Sequence, residues 1–183
     1  MTISIHSAVS FGVLILAGLC YVTSQVTDVW MESDGLLSLG VWSFCVFSTD
    51  THSWSCEINF SGFNMASQTF SILALLCYLN AFFLYTLSMA CRSLQKCRPI
   101  ITGISCLVFF IVSLQIMTMI VFSVKVHHHT DDVTELHLGK DEKRLPLRLS
   151  WSFTAAIVST ILSTISGVCI SIELRNIIVD EFQ

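Results

Sequence analysis

The chain has 183 residues, 54% of them hydrophobic and only 12% charged. Soluble domains run at about 45–50% apolar and about 25% charged. Four windows (residues 1–27, 58–91, 99–124 and 149–172) contain no Asp, Glu, Lys or Arg and together hold 111 residues, so all 22 charges sit in the other 72. A bilayer core is about 30 Å thick and needs roughly 20 apolar residues in a helix. Each window is long enough, and none has an internal proline. This pattern excludes a soluble globular domain, a soluble enzyme, a disordered chain and a β-barrel. It predicts an all-α membrane protein, a four-transmembrane-helix bundle forming one four-pass domain over residues 1–183.

The first span is expected at about residues 5–26. It lacks the positive flank of a signal peptide and its apolar run is too long for one, so it reads as a retained span. A long first loop, about 27–65, carries Asp28, Glu32, Asp34, Asp50 and Glu57 and no base. The second span, about 66–90, leads to a short loop with Arg92, Lys96 and Arg98 and no acid. Basic loops stay cytosolic. Both termini are therefore expected inside and both longer loops outside. The third span, about 99–124, opens on Pro99, which the first helical turn tolerates. A second outside loop, about 125–148, has five bases and five acids, so its bias is weak. The fourth span, about 149–172, precedes an eleven-residue tail.

No span contains a charge. Pumps and proton-coupled transporters usually place ionisable groups there, so transport through a single bundle is disfavoured. Asn80 and Gln115 are polar and deep in their spans, at depths roughly 9 Å apart at 1.5 Å per residue. Each is expected to bond Ser or Thr on a neighbouring helix rather than the other. Ala155, Ser159, Ser163 and Gly167 form a small-residue stripe, with Ala156, Thr160 and Thr164 beside it. Such faces let helices approach closely. The simpler reading is packing within one bundle, and the alternative is a dimer face.

Of eight cysteines, Cys20, Cys77, Cys106 and Cys169 lie in spans, where they are expected to pack as small apolar groups. Cys91 and Cys97 flank the basic loop and are candidates for palmitoylation. Only Cys45 and Cys56 fall in an outside loop, an oxidising compartment, and form the natural disulfide pair.

The first loop also has a distinctive spacing: Trp30, then Gly40-Val41-Trp42, Cys45 and Cys56. This resembles the W–GLW–C–C signature of the claudin, peripheral myelin protein and epithelial membrane protein superfamily, with Val41 in place of Leu. The resemblance covers nearly the whole chain. It implies a claudin-like bundle with a small extracellular antiparallel β-sheet, including a hairpin clipped by the disulfide. Trp30 and Trp42, each an apolar ring with a polar edge, are expected at the membrane interface. Ser61-Gly62-Phe63, the run from Ser67 to Ala74, and Ser150-Trp151-Ser152-Phe153 more loosely resemble the natural killer cell granule protein and the lens fibre membrane intrinsic protein. Two departures separate the chain from claudins proper. Asn64, Ser67 and Gln68 occupy the region where claudins usually carry a base, and the chain ends Glu181-Phe182-Gln183 rather than in a terminal Val.

Several weaker signals remain. Asn59-Phe60-Ser61 is a glycosylation sequon. His127, His128, His129, Asp131, Asp132 and His137 are weak candidates for metal or pH sensing, with no defined site spacing. Glu173, Ile177 and Ile178 resemble an acidic dileucine sorting signal. Catalytic and nucleotide-binding arrangements are absent. No cofactor, nucleic acid or small-molecule substrate is expected.

The expected function is non-enzymatic: organising membranes, adhesion or vesicle traffic through lateral and extracellular contacts. The partners are the lipid bilayer and other membrane proteins, including further copies of the chain. Three alternatives stand beside it: a junction strand former with a cation path favoured by the acidic first loop, a lytic-granule or lysosomal membrane protein, and an auxiliary channel subunit. The expected location is the plasma membrane, with lysosomal or granule membranes as the alternative.

Overall fold

The computed structural model describes residues 5–27, 29–33, 36–48, 52–58, 62–91, 98–137 and 148–181, and the side chains of 5–6, 62–64, 125–137 and 177–181 are not described. Four long helices form: α1 (Ile5–Val26), α2 (Gly62–Ala90), α3 (Arg98–His137) and α4 (Trp151–Glu181). Each carries a segment long and apolar enough to cross a membrane. Between α1 and α2 lie β1 (Met31–Ser33), β2 (Leu37–Leu39), β3 (Ser43–Ser48) and β4 (Ser53–Ile58), and β5 (Arg148–Leu149) precedes α4. They form one antiparallel sheet in the order β4-β3-β2-β1-β5. The loop before α4 thus supplies one strand to a sheet built mostly from the first loop.

Hydrocarbon offers no hydrogen bonds, so polar groups in the bundle must answer one another. Along the α1–α4 contact they do. The Thr27 and Ser152 hydroxyls share a bond of 2.7 Å. Ser159 donates to the Ala17 carbonyl at 2.8 Å and Ser166 to the Ser10 carbonyl at 3.0 Å. Ser7 donates to the Glu173 carboxylate. Residue numbers rise along α1 as they fall along α4, so the two helices run antiparallel from Thr27 and Ser152 at one end to Ser7 and Glu173 at the other. Ser152, Ser159, Ser163 and Ser166 are fully buried. The small-residue stripe of α4 therefore packs inside the bundle. Beside it, a Cβ added to Gly167 would stand 3.2 Å from Val108 and 3.3 Å from Phe109 of α3.

A polar knot lies deeper. Gln115 of α3 donates to the Tyr78 hydroxyl at 3.1 Å and to Ser159 at 3.0 Å, and Tyr78 also meets Ser163. Gln115 thus finds a serine on a neighbouring helix, as expected. Asn80 does not. It is exposed on α2, and its amide donates only to the Leu76 carbonyl of its own helix at 2.8 Å. Its position on the helix turns it outward, a fact that depth alone does not reveal.

Other expectations shift. The second loop, expected from residue 125, begins as helix: α3 continues to His137, about 20 Å beyond Val124 at 1.5 Å per residue. The charge pattern marks where lipid ends, not where the helix does. The four histidine candidates fall on this extension, where side chains are not described. Leu149 belongs to β5, so α4 starts at Trp151 and runs on to Glu181. Cys77 is buried, but Cys106 faces outward rather than packing inside.

The packing at Gly167 gives a test. Gly167→Leu must push α3 from α4, and overpacking of this kind costs typically about 1–3 kcal/mol. The purified variant is expected to unfold at lower temperature than the wild type, whereas Gly167→Ala is expected to lose much less.

Candidate interaction surface

The sheet stands on one end of the bundle, and Trp30 joins the two. Trp30 is fully buried. Its indole N–H donates to the Ser24 carbonyl in the last turn of α1 at 2.6 Å. Its backbone N–H donates to Leu39 at 2.9 Å, and its carbonyl accepts from Ser150 at 3.0 Å. Its ring meets Phe122 of α3 and Phe153 of α4 edge-on, at centroid distances of 4.9 and 5.5 Å. Trp30 therefore does not present its ring to lipid, as the expectation of an interfacial side chain would have it. The indole N–H that suggested an interface finds its acceptor inside, which lets the ring bury.

The Gly40-Val41-Trp42 run is the tip between β2 and β3. Gly40 N–H donates to the Ser43 carbonyl at 2.9 Å, closing a tight turn. Val41 is buried in a cluster with Trp30, Phe122, Phe153 and Ala156, and Trp42 packs partly buried against it. Gln68 of α2 donates to the Val41 carbonyl at 3.1 Å. Gln68 is therefore a positioning residue. The sequence marked it only as standing where claudins usually carry a base.

Cys45 and Cys56 face each other in register on β3 and β4, with Cα atoms 4.0 Å apart, and are disulfide-bonded. The two cysteines are 11 positions apart. Closing such a loop is worth roughly 3 kcal/mol in the chain-entropy model. Phe47 and Trp54 contact edge-on further along the hairpin, at 5.4 Å. Beyond the disulfide, β4 is the sheet edge, and every residue in it is exposed. Trp54 is 50% and Ile58 67% exposed.

The remaining candidates do not converge. Cys91 is an exposed free thiol at the end of α2, while Cys97 and Asn59 lie outside the described residues. Glu173 is held by Ser7 within the bundle, and Ile177 and Ile178 continue the α4 helix. This turns the acidic residue of the sorting-like run toward α1. Among the described residues, no three His, Cys, Asp or Glu side chains are grouped to hold a metal.

Four apolar helices carrying a disulfide-clipped antiparallel sheet define a claudin-like membrane protein. The chain belongs to the PMP-22/EMP/MP20/Claudin family, whose model matches residues 3–170. No individual curated protein matches the chain.

The disulfide yields a prediction. Cys45→Ala is expected to free the β3–β4 hairpin and hold the protein back from the cell surface. Surface biotinylation reads this directly, and normal delivery of a normally folded variant contradicts the role.

Proposed function

We propose that this chain is a non-enzymatic organiser of membranes. It makes contacts outside the bilayer through the sheet and contacts within it through the lipid-facing helices. The observation that carries the reading is the β4 edge. An edge strand leaves backbone donors and acceptors open to another chain, and this one adds Trp54 and Ile58, both at least half exposed. Exposed aromatics of this kind are common anchors at protein interfaces. Asn80 supports the lateral contact, because a carboxamide facing lipid is satisfied best by a neighbouring helix. The reading places the sheet outside the cell, the termini in the cytosol and the protein in the plasma membrane.

Two populations of junction-deficient cells, each expressing the chain with a different fluorescent tag, test the proposal. The protein is expected to concentrate where expressing cells touch. Truncating an aromatic anchor costs about 2 kcal/mol or more, roughly thirty-fold in affinity. The double variant Trp54→Ser, Ile58→Ser should therefore spread evenly while reaching the surface as before. An even spread of the wild type refutes the adhesive reading.

A further inference from the structure

The seam between α1 and α2 is the loosest of the neighbouring helix contacts. In the half away from the sheet it is closed by aromatics: Phe11 stacks on Phe82 and Tyr85 at 5.2 and 5.3 Å. At the sheet end it opens into a cavity of about 380 Å³ lined by Val22, Gln25, Val26, Trp42, Ser71, Ile72 and Leu75. Pockets for small ligands run from about 300 to 1,000 Å³. Exposed Leu19 and Leu79 continue the apolar path one turn further into the membrane.

Hydroxyls elsewhere in the bundle commonly bond back to their own helix. Ser24, Thr69, Ser88, Thr118 and Thr160 each donate to a carbonyl one turn back in their own helix. Ser71 does not. It is 2% exposed and makes no such bond to its own helix, and the Tyr21 hydroxyl, which donates to the Ser71 carbonyl at 2.9 Å, stands beside its hydroxyl. Both ends of the Gln25 carboxamide are buried without a partner. A buried polar group left unanswered costs about 1–3 kcal/mol. The two unanswered ends of the Gln25 carboxamide, beside a cavity that Ser71 also lines, mark a place shaped for a ligand with a small polar end. The polar end sits near the sheet, at the level of the membrane boundary, and the apolar end points to the membrane centre.

Charge decides which lipid. Residues 1–91, which form α1, α2 and β1–β4, contain no Lys or Arg. A phosphate headgroup would find no cation on these elements. A neutral hydroxyl needs one donor and one acceptor, and Gln25 and Ser71 supply both. A rigid apolar body also loses little conformational freedom on binding, unlike a pair of acyl chains.

We propose that the α1–α2 cleft binds a membrane 3β-hydroxysterol, its hydroxyl held by Gln25 and Ser71 and its ring system lying along Val22, Ile72 and Leu75 beneath Trp42. The site makes the bundle a reader of sterol content in the leaflet on the sheet side.

The test uses the full chain in lipid nanodiscs with a photoreactive cholesterol analogue, mapped by mass spectrometry. Labelling is expected in peptides containing residues 22–26 and 71–75, and unlabelled cholesterol is expected to compete. Its 3α epimer, with the hydroxyl displaced, should compete roughly fivefold to tenfold less well. Gln25→Leu should weaken labelling by a similar factor, and Ser71→Phe, which fills the cavity, should abolish it. An intact Cys45–Cys56 disulfide and an unchanged melting temperature report that each variant is folded. If a variant fails to fold, the epimer comparison on the wild type decides alone. Equal competition by both epimers, labelling spread over other helices, or stronger labelling of the same peptides by a photoreactive phosphatidylcholine would each overturn the proposal.

Discussion

The hydrogen bond from the Trp30 indole to the Ser24 carbonyl sets the geometry of this molecule. The last carbonyls of a helix have no partner within it, and α1 ends where the chain must turn from membrane into sheet. Trp30 answers one of those carbonyls with its ring N–H and uses both backbone groups on other elements. Its apolar faces fill the space between α3 and α4. One residue thereby ties the end of α1, strand β2 and the start of α4 to a single point. The Gly40-Val41-Trp42 turn docks against the same cluster, and Gln68 ties it to α2. The disulfide then fixes β4 to β3, so the exposed edge is carried on a scaffold anchored in the bundle.

Within the membrane the same constraint acts on side chains. Interhelical hydrogen bonds in lipid average only about 0.6 kcal/mol each. The α1–α4 seam uses several, spread from Ser7 to Thr27, and combines them with a face of small residues. α2 is committed to α3 instead. The α1–α2 seam is left with aromatic contacts at one end and an opening at the other. The cleft is thus a consequence of how the other three seams are satisfied, and the docked turn roofs it with Trp42.

Much of this was legible in the sequence for a simple reason. Charge is so costly in hydrocarbon that its absence over 111 residues marks the four helices. Compartment logic likewise singles out Cys45 and Cys56. Facing is harder. Trp30 near the end of a span suits either a lipid interface or a buried junction, and only the acceptor at Ser24 distinguishes them. Asn80 and Gln115 look alike in sequence, yet one meets lipid and the other Tyr78 and Ser159, because the answer depends on which side of its helix each occupies. The extension of α3 to His137 escaped because apolar composition stops at Val124 and the residues after it, rich in His, Thr, Asp and Val, are weak helix formers. Gln25 and Ser71 gave no signal at all. Their significance is a shared cavity and an unanswered Gln25 carboxamide, which only three-dimensional packing reveals.

Amide hydrogen exchange on the full chain carrying Trp30→Ala, with its disulfide intact, tests the joining role most directly. If Trp30 fastens the sheet to the bundle, exchange should rise across β1, β2 and β5 and at the sheet end of α1. The disulfide-clipped β3–β4 pair and the buried core of α3 and α4 should change far less. Exchange in β1, β2 and β5 that matches the wild type would contradict it.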